Sequence, residues 1–226
     1  MIKLEKWDVD FNIYHVDSIE STNTYLKENY NSFLDKSVLV ADKQTKGRGR
    51  YNRVWISDDD IIFSLLFKKN DFYEIITPLS IVIALKKYGL EAKIKWPNDI
   101  YLNNKKLCGI LIEDIYSSKF ESAIIGVGIN YKNKPEIDGI GLNLDIPRKD
   151  IITSILNTFN EIKNYDYDYL SRLYKEYNMV IGKTVRYKNK TYLAVDITYE
   201  CLLVLVNENE KIIVRSDEIN IKEAMN

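Results

Sequence analysis

The 226-residue sequence is poor in several residue types, and each shortage excludes a class of site or mechanism. It has two cysteines, far apart at Cys108 and Cys201, and a single histidine, His15. These are too few to build a zinc site, and they argue against a disulfide framework. A lone histidine also excludes most Ser-His and Cys-His catalytic schemes. We therefore expect two reduced, buried thiols, and chemistry that relies on positioning and charge rather than on a protein nucleophile.

The sequence also lacks long apolar runs and an excess of either charge. No run approaches the ~20 apolar residues that a membrane helix requires, and the N-terminus has no signal-peptide core. The 32 Lys and Arg nearly balance the 33 Asp and Glu, for a net charge of -1, which argues against broad nucleic-acid binding. We therefore expect a cytoplasmic globular protein that binds neither DNA nor a membrane.

The order of predicted elements indicates a main α+β domain over residues 1–178 and a small all-β domain over 179–226. In the first domain, Ser21 or Thr22 is expected to cap a helix, and Pro78 to open another that Gly89 closes. A helical pattern fills 150–178, after a long loop over 132–148. The predicted strands cover 11–17, 37–41, 55–57, 61–67, 92–96, 100–102, 106–114, 122–131, 185–187, 192–195, 202–206 and 211–214.

The most informative segment is the stretch from Lys46 to Trp55, which contains Arg48, Arg50 and Arg53. Arginine offers a planar fork of donors that suits phosphate and carboxylate oxygens. The flanking glycines allow close approach of the backbone to a ligand, and the tryptophan adds a flat face for a ring. Three like charges repel one another, so we expect a mobile loop that becomes ordered over a small anion, with a nucleotide as the obvious candidate.

Two further motifs carry candidate site residues. The segment 95–99 (Lys-Trp-Pro-Asn-Asp) is an unusual turn between two strands, followed by Lys106 and Gly109. Lys106 begins an apolar strand, and the face on which it lies depends on a register that the sequence does not give. In the third motif, Gly126 and Gly128 leave one face of a strand without side chains just before Asn130. That face suits either a flat ring or the close packing of another element.

Taken together and in this order, the motifs resemble those of the biotin protein ligases. Ser21-Thr22-Asn23 and Gln44 match the family's pattern upstream, and the resemblance spans nearly the whole chain. It implies a mixed sheet flanked by helices, as in the class II synthetase-like biotin and lipoate ligases, with a small C-terminal SH3-like β-barrel. Because the pattern begins at Ser21, the resemblance is to the monofunctional type without the N-terminal DNA-binding domain.

The resemblance implies a two-step reaction. Biotin and ATP, with Mg²⁺ brought by the nucleotide, form biotinyl-5′-AMP and pyrophosphate. The biotinyl group then passes to a lysine of a biotin carboxyl carrier domain. An exposed sheet edge would allow a homodimer, which no residue pattern proves.

The same resemblance assigns a role to each site residue. Lys106 stabilises charge at the reacting phosphorus, with Arg48 as a second catalytic cation, and Asp99 orients the incoming lysine or supports the metal. Lys222 stands where the family often has an arginine near the nucleotide. Biotin is expected to contact Ser21, Thr22, Asn23, Gln44, Gly47, Arg48, Lys106 and Gly109, and ATP to contact Arg48, Arg50, Arg53, Trp55, Lys106 and Asn130.

Two alternatives remain at this point. A lipoate ligase performs the same adenylation on a related fold, but the Trp-Pro-Asn-Asp turn favours biotin. A non-enzymatic nucleic-acid-binding module would use the arginine loop and the β-barrel. The balanced net charge and the absence of aromatics interleaved on a basic face speak against that module.

Overall fold

The computed structural model describes residues 1–56, 59–68, 72–116, 121–134, 138–215 and 219–221. The α-helices in these ranges are α1 (Thr22–Glu28), α2 (Tyr73–Lys86), α3 (Arg148–Ile162) and α4 (Tyr167–Tyr177). The strands are β1 (Lys3–Glu5), β2 (Asn12–Ile19), β3 (Ser37–Gln44), β4 (Ile61–Phe67), β5 (Lys93–Lys95), β6 (Asp99–Leu102), β7 (Lys105–Tyr116), β8 (Glu121–Ile129), β9 (Thr184–Tyr187), β10 (Lys190–Ile197), β11 (Leu203–Val206), β12 (Lys211–Val214) and β13 (Asn220–Ile221). Among the described helices, none has the length and hydropathy that crossing a membrane demands.

The larger sheet is mixed, as the resemblance implies, and has the strand order β1-β2-β3-β4-β8-β7-β6-β5. Strands β2 and β3 are parallel, and the other neighbours pair antiparallel. A parallel pair requires a crossover connection, which α1 provides between β2 and β3. This crossover carries the N-terminus of α1 to the edge of the cavity described below.

The sheet separates two apolar cores, because side chains alternate between its faces. In β3, Val38 and Val40 pack into the core that contains α2 and α3, whereas Leu39 and Ala41 pack with Leu26 of α1. Strand β8 alternates in the same way, since its residues 125, 127 and 129 are in the first core and 124 is in the second. The glycines at 126 and 128 therefore share the α1 face of the sheet.

The smaller sheet is antiparallel, with the order β12-β11-β10-β9-β13, and forms the SH3-like C-terminal part. The first sheet contacts this part through the indole of Trp96, which donates to the carbonyl of Cys201 at 2.7 Å, and Ile94 of β5 forms a bridge with Asn178 at the end of α4. Buried residues of both sheets belong to one continuous core. A division of the chain at 178/179 falls just before β9 and remains a prediction.

Three predicted boundaries are wrong in the described residues. Helix α2 begins at Tyr73, so Pro78 lies inside it rather than opening it, although Gly89 follows its end with a positive φ of 77°. The helical pattern of 150–178 divides into α3 and α4, because the side chain of Asp166 caps a new helix. Trp55 and Ile56 are outside any strand, while residues 57 and 58 lie outside the described ranges.

Candidate active site

A cavity of about 500 Å³ opens between the N-terminus of α1, the α1 face of β4, β7 and β8, and the segment 46–56, which we call the arginine loop. Its volume suits a small organic ligand. Gly47 does not line it, and Lys222 lies outside the described residues. The predicted site residues that do line it are Ser21, Thr22, Asn23, Gln44, Arg48, Arg50, Arg53, Trp55, Asp99, Lys106, Gly109 and Asn130.

Glycines form the floor of the cavity. Gly109 of β7 pairs directly with Gly128 of β8, and Gly126 lies two residues further along. A Cβ at 126 would lie 2.3 Å from Asn23 Oδ1, and one at 128 would lie 2.6 Å from the Trp55 ring. The bare strand face is thus packed by side chains of the chain itself, and Trp55 occupies the place suited to a flat ring. Its Nε1 is buried there and finds no hydrogen-bond partner among the described residues.

A β-bulge determines where Lys106 points. In the pairing of β6 with β7, Ile100 lies opposite Cys108 but Tyr101 lies opposite Lys106, so Leu107 is an extra residue. Such a bulge turns a side chain toward a different face of the sheet. Lys106 Nζ consequently reaches the cavity, where it lies 2.8 Å from Asp99 Oδ1 and 5.9 Å from the centroid of the Trp55 ring. The register left open by the sequence is set by this irregularity.

Neutral polar groups line the wall beside α1. Gln44 Oε1 accepts from the backbone N–H of Thr22 at 2.7 Å, and Thr22 Oγ1 lies 3.0 Å from the same oxygen. Buried Ser64 Oγ lies 2.6 Å from both Thr22 Oγ1 and Asn23 Oδ1. Because an amide oxygen only accepts, Thr22 Oγ1 donates to Gln44, and the Ser64 hydroxyl is the donor toward Asn23 and Thr22. The wall is therefore ordered before any ligand binds.

The arginine loop is a short hairpin. Gly49 N donates to Arg53 O at 2.8 Å, and Trp55 N donates to Gly47 O at 2.9 Å. Tyr51, with a φ of 55°, makes the tight turn. The two glycines differ, because a Cβ at 47 would lie 2.6 Å from Trp55 O, whereas at 49 the nearest atom is 3.8 Å away. Gly47 is thus required by the hairpin itself, and Gly49 by no contact within the described residues.

The arginines of this loop contact different walls of the cavity. Arg48 Nη2 donates to Thr24 Oγ1 at 2.9 Å and lies 3.7 Å from the carboxylate of Glu113. Arg50 Nη1 donates to Asn98 Oδ1 at 3.0 Å, in the turn after Trp96. Arg48 and Arg50 thus line the same cavity but are held by different parts of it, Arg48 by α1 and β7 and Arg50 by the turn at Asn98.

Two predicted ligand contacts serve a structural role in this conformation. Asn130 is buried, and its amide nitrogen donates to the carbonyls of Lys106 and Ile140 at 3.2 and 3.3 Å. Ser21 Oγ accepts from Thr24 N at 3.3 Å and caps α1. The ligand roles of both residues remain predictions.

Several residues of the site were not predicted from the sequence. Ser64 lies in a wholly buried strand, and the polar residue in that apolar run was the available signal. Glu113 alternates with Gly109 and Leu111 on the cavity face of β7. Thr24, which binds Arg48, carried no signal of its own. Asn98, which binds Arg50, lies in the turn 95–99 that the sequence singles out, but no role was predicted for it. Nor was a ligand role predicted for Ile219 and Asn220, which line the cavity from the C-terminal part.

Both cysteines are free; Cys108 is fully buried, as expected, whereas Cys201 is only partly buried, so the prediction of two buried thiols is wrong for Cys201. Burial raises the pKa of the Cys201 thiol to about 12 and that of Cys108 higher still. Neither thiol is therefore a thiolate near neutral pH. His15 lies in β2, with one ring nitrogen 3.0 Å from Asp42 and the other 3.3 Å from Glu5.

Comparisons with known proteins agree with this geometry. Residues 15–130 match the model of the biotin/lipoate A/B protein ligase family. The chain is 32% identical to the bifunctional ligase/repressor BirA of Bacillus subtilis, over 91% of this chain and 72% of that protein. It is 35% identical to biotin–protein ligase 2 of Arabidopsis thaliana, over 51% of this chain and 39% of that one.

The chain thus spans only part of these curated relatives. Among solved structures, the biotin protein ligase of Aquifex aeolicus in complex with biotin and ATP matches with a TM-score of 0.78 and 26% identity. The match covers 94% of this chain and 99% of that one. The chain belongs to the biotin/lipoate A/B protein ligase family and has the fold of a biotin protein ligase.

Proposed function

We propose that the chain is a biotin–protein ligase, which forms biotinyl-5′-AMP from biotin and ATP and transfers the biotinyl group to a lysine of a biotin carboxyl carrier domain. The observation that carries the proposal is the pairing of two environments in one cavity. A neutral polar wall of Thr22, Asn23 and Gln44 adjoins cations supplied by Lys106 and Arg48. Such a cavity suits a ligand with an uncharged polar head and a carboxylate that must meet a phosphate. The Aquifex aeolicus neighbour, whose structure contains biotin and ATP, supports the proposal.

In the first step, a carboxylate oxygen of biotin attacks the α-phosphorus of ATP, and pyrophosphate leaves with the electron pair of the broken P–O bond. Two anions must approach each other, so positive charge is the main contribution that a catalyst can make. Lys106 carries that charge to the phosphorus oxygens. Arg48 neutralises the carboxylate or the α-phosphate, and Arg50 and Arg53 bind the other phosphates.

We expect biotin and the adenine nucleotide to be recognised at different ends of the cavity. The side chains of Ser21, Thr22 and Gln44 exchange some of their present hydrogen bonds for the polar head of biotin. Trp55 packs against the adenylate. Because the amide nitrogen of Asn130 is already engaged, its amide oxygen is the group left to accept from the amino group of adenine.

In the second step, the lysine amine of the carrier attacks the acyl carbon, an amide bond forms, and AMP leaves. Asp99 orients this amine or supports Mg²⁺. Asp99 and Asp138 are the carboxylates among the described lining residues, and Asp99 is paired with Lys106. Mg²⁺ usually takes one or two carboxylates together with phosphates and waters, so these residues fit an ion carried by the nucleotide.

Isotope exchange between ATP and labelled pyrophosphate tests the proposal and separates it from its neighbours. We expect exchange that depends on biotin and not on lipoate. Exchange that depends on lipoate would assign the chain to the other branch of the family. If neither biotin nor lipoate supports any exchange, the chain is not an adenylating ligase.

A further inference from the structure

A half-buried carboxylate lies beside the cavity without a place in the reaction above. Glu113 Oε2 accepts from Asn23 Nδ2 at 3.0 Å, and its Oε1 lies 3.0 Å from Lys27 Nζ. The same carboxylate is 3.7 Å from Arg48 Nη2, which is held at the same time by Thr24 Oγ1 at 2.9 Å. Glu113 is therefore the point at which α1, β7 and the arginine loop meet.

The electrostatics of this point favour an ionised Glu113. Burial alone would raise the pKa of its carboxyl, but hydrogen bonds from Asn23 and Lys27 and the charges of Lys27 and Arg48 outweigh burial, and the pKa is lowered. The Glu113 side chain is 17% exposed and that of Arg48 is 38% exposed, so their attraction is less screened than that of a surface pair. At the base of the loop, Lys46 N donates to Glu20 O at 2.8 Å and Lys46 Nζ lies 2.7 Å from the Glu20 carboxylate. Arg48 holds the hairpin beyond this base on the α1 side, whereas Trp55 packs on the floor and Arg50 binds Asn98.

We propose that Glu113 is a positioning residue that seats Arg48, so that the arginine loop is held closed over the cavity from the α1 side. The inference rests on the proposed function only for the identity of the ligand beneath the loop. Glu113 is not among the described residues that line the cavity, so it acts through the position that it gives to Arg48. A reactive acyl-adenylate requires a site that stays closed until the acceptor arrives. The contact of Arg48 with Glu113 shortens the time that the arginine loop spends open.

The test uses Glu113→Gln, which keeps the shape and an oxygen for Asn23 but removes the charge that attracts Arg48. Two controls separate the effect of the contact between Glu113 and Arg48 from the effects of neighbouring charges. Asp114→Asn removes the same charge from the next residue of β7, which is exposed, and Lys27→Met removes the other cation from Glu113. The free energy of unfolding of each variant is measured alongside, so that a loss of fold is recognised.

Two rates are then measured. Trypsin cleavage within residues 48–53 of the ligand-free protein should be about tenfold faster in Glu113→Gln than in the wild type, as expected for loss of one charge-assisted contact. Release of biotinyl-5′-AMP should accelerate by a similar factor. Neither control should change either rate by more than about twofold, a difference that corresponds to less than 0.5 kcal/mol.

Wild-type cleavage and release rates in Glu113→Gln would overturn the inference, and so would an equal acceleration in Asp114→Asn. If the wild type forms no adenylate, the proposed function fails instead. Cleavage of the ligand-free loop then still decides whether Glu113 seats Arg48.

Discussion

The cavity has two unlike walls, and the contrast between them explains how one site can be both specific and accessible. The floor consists of β4, β7 and β8, whose backbones are paired along their length, with Gly126 and Gly128 packed against side chains. The arginine loop has a hairpin closed by two backbone hydrogen bonds, with Tyr51 and Val54 exposed. Local opening is governed by the number of buried contacts, so the loop should open far more often than the floor.

The difference assigns different tasks to the two walls. A rigid, fully hydrogen-bonded wall is suited to selecting a neutral polar head, because a ligand that leaves its groups unpaired is penalised. A loop of cations is suited to gathering anions, since it can open for them and close over them. Lys106 is the exception, because it is a cation carried by the floor and turned into the cavity by a bulge.

The largest expected effect comes from removing that floor cation. Lys106→Ala should lower the rate of biotin-dependent pyrophosphate exchange by about 10²- to 10³-fold, the loss typical of one group that stabilises transition-state charge. Lys105→Ala is the matched control, because Lys105 is the exposed neighbour and should leave the rate unchanged. Wild-type exchange rates in both variants would show that the arginine loop alone supplies the charge that stabilises the transition state.

A smaller effect separates the glycines of the two walls. Gly126→Ala places a Cβ 2.3 Å from Asn23 Oδ1, an atom held by Ser64, and should lower the free energy of unfolding by about 1–3 kcal/mol. Gly49→Ala meets its nearest atom at 3.8 Å in extended backbone and should change it by less than ~0.5 kcal/mol. Denaturant unfolding measures both; similar losses would mean that the loop is as tightly packed as the floor.

The smallest effect concerns the contact between the walls. Because the pKa of Glu113 is lowered in the folded state, its ionised form stabilises the protein above the ordinary glutamate value of about 4.3, and this contribution is lost as the pH falls through the lowered value. The difference in unfolding free energy between the wild type and Glu113→Gln should therefore shrink as the solution becomes acidic below that value. A difference that stays constant across this range would contradict an ionised Glu113.

The sequence predicts the floor and the loop unequally well. Alternation predicts β2, apolar stretches predict β3, β4, β7 and β8, and the fold brings twelve of the predicted site residues to one cavity. The face of Lys106 was beyond prediction, because a single-residue bulge determines it. Glu113 and Ser64 were missed because their importance comes from neighbours distant in sequence, Arg48 and Asn23. Local patterns predict elements, whereas contacts between elements determine the site.

The central claim is that a fixed floor is covered by a loop that closes on the ligand, and amide hydrogen exchange tests it most directly. Exchange of residues 47–55 is compared with that of β7 and β8, without ligand and with a biotinyl-5′-AMP analogue. We expect loop amides to exchange quickly in the free protein and at least tenfold more slowly with the analogue, while the strand amides stay protected in both. Loop amides as protected as the strands without ligand, or unchanged by a bound analogue, would contradict the account.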